Sequence, residues 1–271
     1  MNNHPAASIA RLRDGGATWA LGGLAGDDTA LERLSAVLQS RWQNGDRLVV
    51  LGNMLGGAGD AARTLDLMLL LRRRLLARPG ADVEDFVFLR GAQEEMWHKV
   101  LQLQFALSPL DVLDWMLARG LAAVIEAYGH SIAEGRIACR NGPSAIVRWT
   151  SGLRERHMAQ PGHPDLLNAL RRAAISADGR VVFAAAGADP ARPLDEQADA
   201  FWWNVASDSA LNEALGRAGD GGWPAVDRLV RGTAPANNVA IETGRVLTVA
   251  QGGPTLLALD PDGAVLEHIE P

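Results

Sequence analysis

Apolar residues along the chain fall into short runs and longer periodic stretches. Leu48 to Leu51 is a compact apolar run that ends in a loop with four glycines between Gly52 and Gly59. A helical pattern over 61–77 follows, apolar on nearly all sides and so expected to be buried, until Pro79-Gly80 stops it. Two similar runs, Thr18–Leu21 and Phe86–Leu89, also lead through loops into helical patterns. Between them Thr29 and Glu32 form a capping-box pair ahead of Leu31, Leu34, Val37 and Leu38, which share one helix face. The first 105 residues thus read β-α-β-α-β-α, the pattern of a parallel sheet with right-handed crossovers. Residues 109–175 read as helical, broken at Pro109, Gly129, Pro143 and Pro161. A strand is expected at 181–184. Short strands are expected at 227–231, 238–242, 245–250, 255–259 and 264–269, a mostly antiparallel end. Residues 1–16 are polar and irregular and read as a loose tail ahead of one α/β domain spanning 17–271.

Composition narrows the function classes. The chain has 271 residues, 48% of them hydrophobic, enough for a sizeable core. A net charge of -6 argues against a nucleic-acid partner. With Cys139 as the single cysteine no internal disulfide can form, and a reducing, cytoplasmic setting is expected. Met1 to Pro5 lacks the basic-then-apolar order of a signal peptide, and no apolar run reaches the roughly 18 residues of a membrane span. Leu65 to Leu71 comes nearest and runs into Arg72-Arg73-Arg74, read as a solvated helix end. Eight Trp against one Tyr suggest packing anchors or an interface.

Candidate chemistry is sparse. The histidines are scattered, and the one pairing at helical spacing is His98 with Glu94 or Glu95, read as a surface contact. Gly56 to Gly59 could present backbone N–H groups to a phosphate at a helix start, but the loop has no Lys and matches no P-loop.

Four post-strand loops stand in order: Leu21-Gly22-Gly23-Leu24-Ala25-Gly26, Leu51-Gly52-Asn53-Met54-Leu55-Gly56-Gly57-Ala58, Leu89-Arg90-Gly91-Ala92-Gln93-Glu94 and Phe183-Ala184-Ala185-Ala186-Gly187. A late Arg231-Gly232-Thr233 completes the set. Their order, spacing and flanks resemble the calcineurin-like metallophosphoesterases, most of all the bacterial serine/threonine phosphatase and diadenosine tetraphosphatase branch. That family's loops read G-D-x-H-G, G-D-x-V-D-R-G, G-N-H-E, H-A-G and G-H-T. The resemblance covers about residues 17–260. It implies a two-sheet α-β-β-α sandwich, with a helical insertion at about 107–175 over the loop end.

The same comparison locates what is missing. Gly23 and Ala25 stand where the first loop's metal-binding Asp and His would be, and Asn53 where the bridging Asp would be. Gly56 replaces the Asp that supports the acid, and Gly57 the phosphate-holding Arg. Ala92 and Gln93 replace the metal-binding Asn and the general-acid His. Ala185 and Thr233 replace the two later His ligands. Two-metal hydrolysis needs anionic oxygens and imidazoles around ions roughly 3.5–4 Å apart. None of these positions supplies one, so no metal cofactor is expected.

The resulting expectation is a catalytically inactive, phosphatase-like module that binds another protein or a second copy of itself. An alternative is a non-hydrolysing sensor that holds a nucleotide or other phosphoanion in the old pocket, with Arg90 and Arg231 as the anion-binding residues. A third reading is an enzyme with a relocated site around Glu94 or Glu95.

Overall fold

The computed structural model describes residues 9–57, 59–204, 206–216, 223, 225–233, 242–250 and 253–271. The opening segment alternates as expected: β2 (Thr18–Gly22), α1 (Asp28–Arg41), β3 (Arg47–Val50), α2 (Ala61–Leu76), β4 (Phe86–Phe88) and α3 (Ala92–Val100). β2, β3 and β4 pair in parallel, with Leu21 opposite Val50 and Val50 opposite Phe88. The period of two decides which side each residue serves. Trp19, Leu21, Leu48, Val50, Phe86 and Phe88 face α1, α2 and α3. Ala20, Val49, Leu51, Val87 and Leu89 face a second sheet. Strands buried on both faces read as unbroken apolar runs, which is why these three were legible.

The insertion comprises α4 (Pro109–Met116), a π turn at 117–121, α5 (Ala122–Ala127), α6 (Ile132–Arg140), α7 (Pro143–Met158) and α8 (His163–Asn168). The expected helical stretch to 175 overshoots, because β5 (Ala173–Ile175) is a strand. β6 (Val181–Ala184) follows, then α9 (Ala200–Trp203), α10 (Asp208–Gly216), β7 (Arg228–Arg231), β8 (Glu242–Thr243), β9 (Val246–Thr248), β10 (Thr255–Leu259) and β11 (Val265–Ile269). Of the strand expected at 238–242, residues 238–241 lie outside the described residues.

β1 (Ile9–Arg11) opens a six-stranded sheet in the order β1-β5-β6-β7-β9-β8; the five-stranded sheet runs β11-β10-β2-β3-β4. The two sheets pack face to face, with Val181, Phe183, Val230 and Leu247 meeting Val49, Leu51, Leu257 and Leu259. On the outer face of the six-stranded sheet, Val182, Leu229 and Val246 pack against Phe201, Trp202, Leu211 and Leu215. The layers are therefore α-β-β-α.

Three expectations need correction. Residues 9–16 are not a loose tail: β1 pairs in parallel with β5, Leu12 is buried, and Arg13 grips buried Asp85 through contacts of 2.6–2.9 Å. A polar stretch can be fixed when its charge has a buried partner, and hydrophobic pattern does not register that. The end of the chain is mixed rather than mostly antiparallel, since β6-β7 and β7-β9 run parallel. α2 is amphipathic rather than buried all round. Leu65, Met68, Leu71 and Leu75 face inward while Leu70 is 37% exposed.

The insertion carries a buried aromatic and imidazole cluster. Trp97 stacks on Tyr128 at 4.8 Å, and His157 meets both rings edge-on. His163 Nδ1 lies 3.0 Å from the Tyr128 hydroxyl, and its Nε2 lies 3.2 Å from Asp66. Burial, reinforced by His163 and His98, lowers the His157 imidazole to about 4. An unfolded chain therefore takes up this proton first, near pH 6.5, and stability falls as pH drops from about 6.5 towards 4. Urea midpoints should show a loss on the order of 1 kcal/mol between pH 7 and pH 5. His157→Gln should flatten that part of the profile, and an unchanged slope would remove His157 as its source.

Candidate functional site

The loops that leave β2, β3, β4, β6 and β7 converge at one end of the two sheets. Their positions are held mainly by backbone bonds. Ala25 N–H donates to Asn53 O at 2.9 Å and Gly26 N–H to Met54 O at 3.0 Å, so the first two loops are zipped together. Thr233 gives both its N–H and its hydroxyl to Ala185 O, at 3.0 and 3.2 Å. The third loop joins the second through Gln93 N–H, which donates to Asn53 Oδ1 at 3.1 Å.

Glu94 organises the centre. Its side chain is fully buried, and its two oxygens accept N–H groups from Asn53 (2.9 Å), Leu55 (3.0 Å) and Gly91 (2.8 Å). Burial pushes this carboxyl above the usual range, while the backbone donors pull it back towards the charged form. Sitting in the first turn of α3, it also lies at the favourable end of that helix dipole. Asn53 holds a left-handed backbone, φ 51, which aims its N–H at Glu94 and its carbonyl at Ala25.

The resemblance marked Gly23, Ala25, Asn53, Gly56, Gly57, Ala92, Gln93, Ala185 and Thr233 as matched motif positions, and all nine lie on the loops and loop-to-helix junction at this end of the sheets. It gives them little room. A Cβ on Gly57 would stand 1.8 Å from Ala25 O, and one on Gly56 would stand 2.5 Å from the Gln93 side chain. A Cβ on Gly23 would meet Gly253 O at 2.3 Å. Both Gly56 and Gly57 have positive φ, 89 and 76, so a side chain there is strained as well as blocked. At these three glycines, neighbouring loop atoms fill the space that a side chain would need.

Gln93, where the resemblance implies a general acid, is a structural latch. Its Nε2 donates to Arg119 O in the π turn of the insertion, and its Oε1 is buried without a partner. The insertion therefore touches the loop end directly. At the metal positions, the donors present are one amide, one hydroxyl and small or absent side chains. The amide oxygen of Asn53 already accepts Gln93 N–H, and the hydroxyl of Thr233 is committed to Ala185. This set does not fit a divalent ion, which needs several anionic or imidazole donors. Among the described residues, no three His, Cys, Asp or Glu side chains stand close enough to share one.

Two anion-binding expectations change. Arg231 does not face an open pocket. It is fully buried, donating to Thr248 Oγ1 at 3.0 Å and Ala206 O at 2.9 Å and pairing with Asp208. Arg90 does sit at the loop end, paired with Glu95 at 3.1 Å and lying over the Trp202 ring. The helix start beside the Gly-rich loop is also taken, because Asp60 accepts Arg63 N–H at 2.9 Å. Ala58 lies outside the described residues. The surface pairing expected of His98 is absent. Glu94 points inward, and Glu95 reaches Lys99 and Arg90. The role of Glu94 was missed although its signal was present: a Glu three residues after Gly91, in the first turn of a helix that follows a strand.

No family model and no curated protein matches the sequence. Solved structures do match the fold. A structure provisionally described as a diadenosine tetraphosphatase aligns over 97% of each chain at 16% identity, with a TM-score of 0.51. A serine/threonine phosphatase from Saccharomyces cerevisiae aligns over 97% of this chain and 84% of its own, at 11% identity and a TM-score of 0.52. A cold-active protein-tyrosine phosphatase from a psychrophilic Shewanella aligns over 98% of this chain and 84% of its own, at 13% identity and a TM-score of 0.53. The chain has the calcineurin-like metallophosphoesterase fold.

Glu94→Ala should cost about 3–5 kcal/mol in urea unfolding, since it strands three buried N–H groups. Glu95→Ala, which removes a carboxylate paired with Arg90 and the exposed Lys99 and accepting no buried backbone N–H, should cost less, about 1 kcal/mol. Equal losses for the two would show that the Glu94 bonds carry no special weight. Gly57→Ala should cost about 2 kcal/mol or more, from a blocked Cβ at positive φ.

Proposed function

We propose that this chain is a phosphatase-like module without phosphatase chemistry, acting in the cytoplasm through contact with another protein or a second copy of itself. The observation that carries this reading is the closure of the loop end. At Gly23, Gly56 and Gly57, where the resemblance implies a metal ligand, the acid support and the phosphate clamp, neighbouring loop atoms fill the space a side chain would take, and Gln93 latches the insertion onto the loop end. A polypeptide that keeps both sheets and every loop has preserved a shape while giving up the donors that would hold two metal ions.

A protein partner is supported by the surface of the insertion. Phe105 is 79% exposed and Leu107 104% exposed, two large apolar side chains three positions or fewer from Ser108, which precedes the first residue of α4. Neighbouring apolar groups held in water at the tip of a rigid element favour contact with another surface. Among the described residues no helix is long and apolar enough to cross a membrane.

The direct test is hydrolysis of an aryl phosphate and of dinucleoside polyphosphates with Mn²⁺, together with metal analysis after dialysis. The expected result is no metal-dependent turnover and substoichiometric metal. Turnover that Asn53→Ala abolishes, or near-stoichiometric bound metal, would overturn the reading. For the interaction half, light scattering should report self-association or a captured partner that Phe105→Ser with Leu107→Ser weakens.

A further inference from the structure

We propose that Arg90, Arg172 and the Trp202 indole form a binding site for a small phosphate-type oxyanion, on the rim of the loop end and outside the positions of the family's metal site. The proposal goes beyond the reading above and does not depend on the chain being inactive.

Chain topology brings the three residues together. Leu89 bridges in parallel to Arg171, and Arg90 N–H donates to Arg171 O at 2.7 Å, which fixes the backbone of Arg90 beside that of Arg172. β5 and β6 are antiparallel with Ala174 opposite Phe183, so the register carried two residues further sets Arg172 against Ala185. Trp202 comes from α9, whose Phe201 carbonyl accepts Ala186 N–H at 2.8 Å. Both guanidiniums lie over the Trp202 ring, that of Arg90 at 5.8 Å and that of Arg172 at 5.4 Å from its centre.

The charges in this cluster are unevenly matched. Arg90 has Glu95 at 3.1 Å. Among the described residues no side-chain hydrogen bond and no carboxylate in ion-pair contact is found for Arg172, and its Nε is buried without an acceptor. Trp202 is 7% exposed, and its Nε1, which can only donate, is also buried without an acceptor. Burial and the neighbouring Arg90 both push the Arg172 guanidinium down, while Asp199 and Glu95 act more weakly in the opposite sense. Cation–π contact offsets some of the desolvation of two such groups but leaves their N–H edges unfilled. The half-buried Arg172 side chain keeps access to solvent.

Two cations and a surplus of donors describe an anion site, and the charge count selects the anion. Glu95 already provides one carboxylate, and Arg172 remains unmatched beside it. A phosphate group carries about -1.5 to -2 at neutral pH and offers several oxygens, so it can bridge two planar guanidiniums at once. A monocarboxylate offers one charge and repeats what Glu95 does.

The test is calorimetric titration of the full chain with inorganic phosphate at constant ionic strength, with acetate as the carboxylate arm. Wild type should show saturable phosphate binding and a change in tryptophan emission that Trp202→Phe reduces. Arg172→Met keeps a long side chain over the indole but removes the charge, and should weaken binding roughly tenfold or more. Glu95→Gln frees Arg90 and should tighten it. Absence of saturable binding, equal affinity in Arg172→Met, or acetate binding as tightly as phosphate would each overturn the proposal. If Arg172→Met fails to fold, Glu95→Gln decides, and no gain in phosphate affinity there counts against the site.

Discussion

The loop end depends on one buried carboxylate. Among the described residues no cation pairs with Glu94, yet it sits where three peptide N–H groups from two loops point inward. A charge in such a place is tolerable only because those donors and the start of α3 replace the water it has lost. The path of the chain from β3 to α2, and the angle at which α3 leaves β4, both follow from that arrangement. The zip between the first and second loops then follows in turn, because Asn53 is oriented by its bond to Glu94. The carboxylate supplies the central negative charge, and peptide dipoles supply the positive one.

The strands of the five-stranded sheet and most helices were legible because they are strongly periodic or wholly apolar. β1 and β5 were not. Each is three residues long, and β1 sits in a polar segment whose order comes from Arg13 reaching Asp85, far along the chain. No local pattern encodes a partner at that distance. Which residues stand where the resemblance would place ligands could be read directly, since identity at a matched position is a sequence property. What fills their place could not. That Gly57 abuts Ala25, that Gln93 crosses to the insertion, and that Arg231 turns into the core are all packing outcomes. Arg231 shows the limit well. Its position at the end of β7 was right, but the direction of its side chain was decided by Asp208 and Thr248, which no spacing rule connects to it.

The small residues at the loop end also have an energetic reading. Several carboxylates converging without cations would repel and lose hydration together. Gly, Ala, Asn and Thr at those positions let the backbone approach closely and satisfy its own polar groups instead. Close approach then fixes the choice, because at Gly57 and Gly23 even a methyl group would strike a carbonyl oxygen. An acidic or basic side chain at Gly57 or Gly23 would require the loops to separate first.

The bond from Gln93 to Arg119 joins two parts of the chain that could otherwise fluctuate apart. It couples the π turn of the insertion to the loops bound by Glu94, so opening either one exposes amides in the other. Local unfolding is distributed in such cooperative blocks, each with its own free energy. The helical insertion and the loop end should therefore exchange their amide hydrogens as a single block. A surface contact made on the insertion would then slow exchange at Asn53 and Leu55, some distance along the chain from where the contact was made.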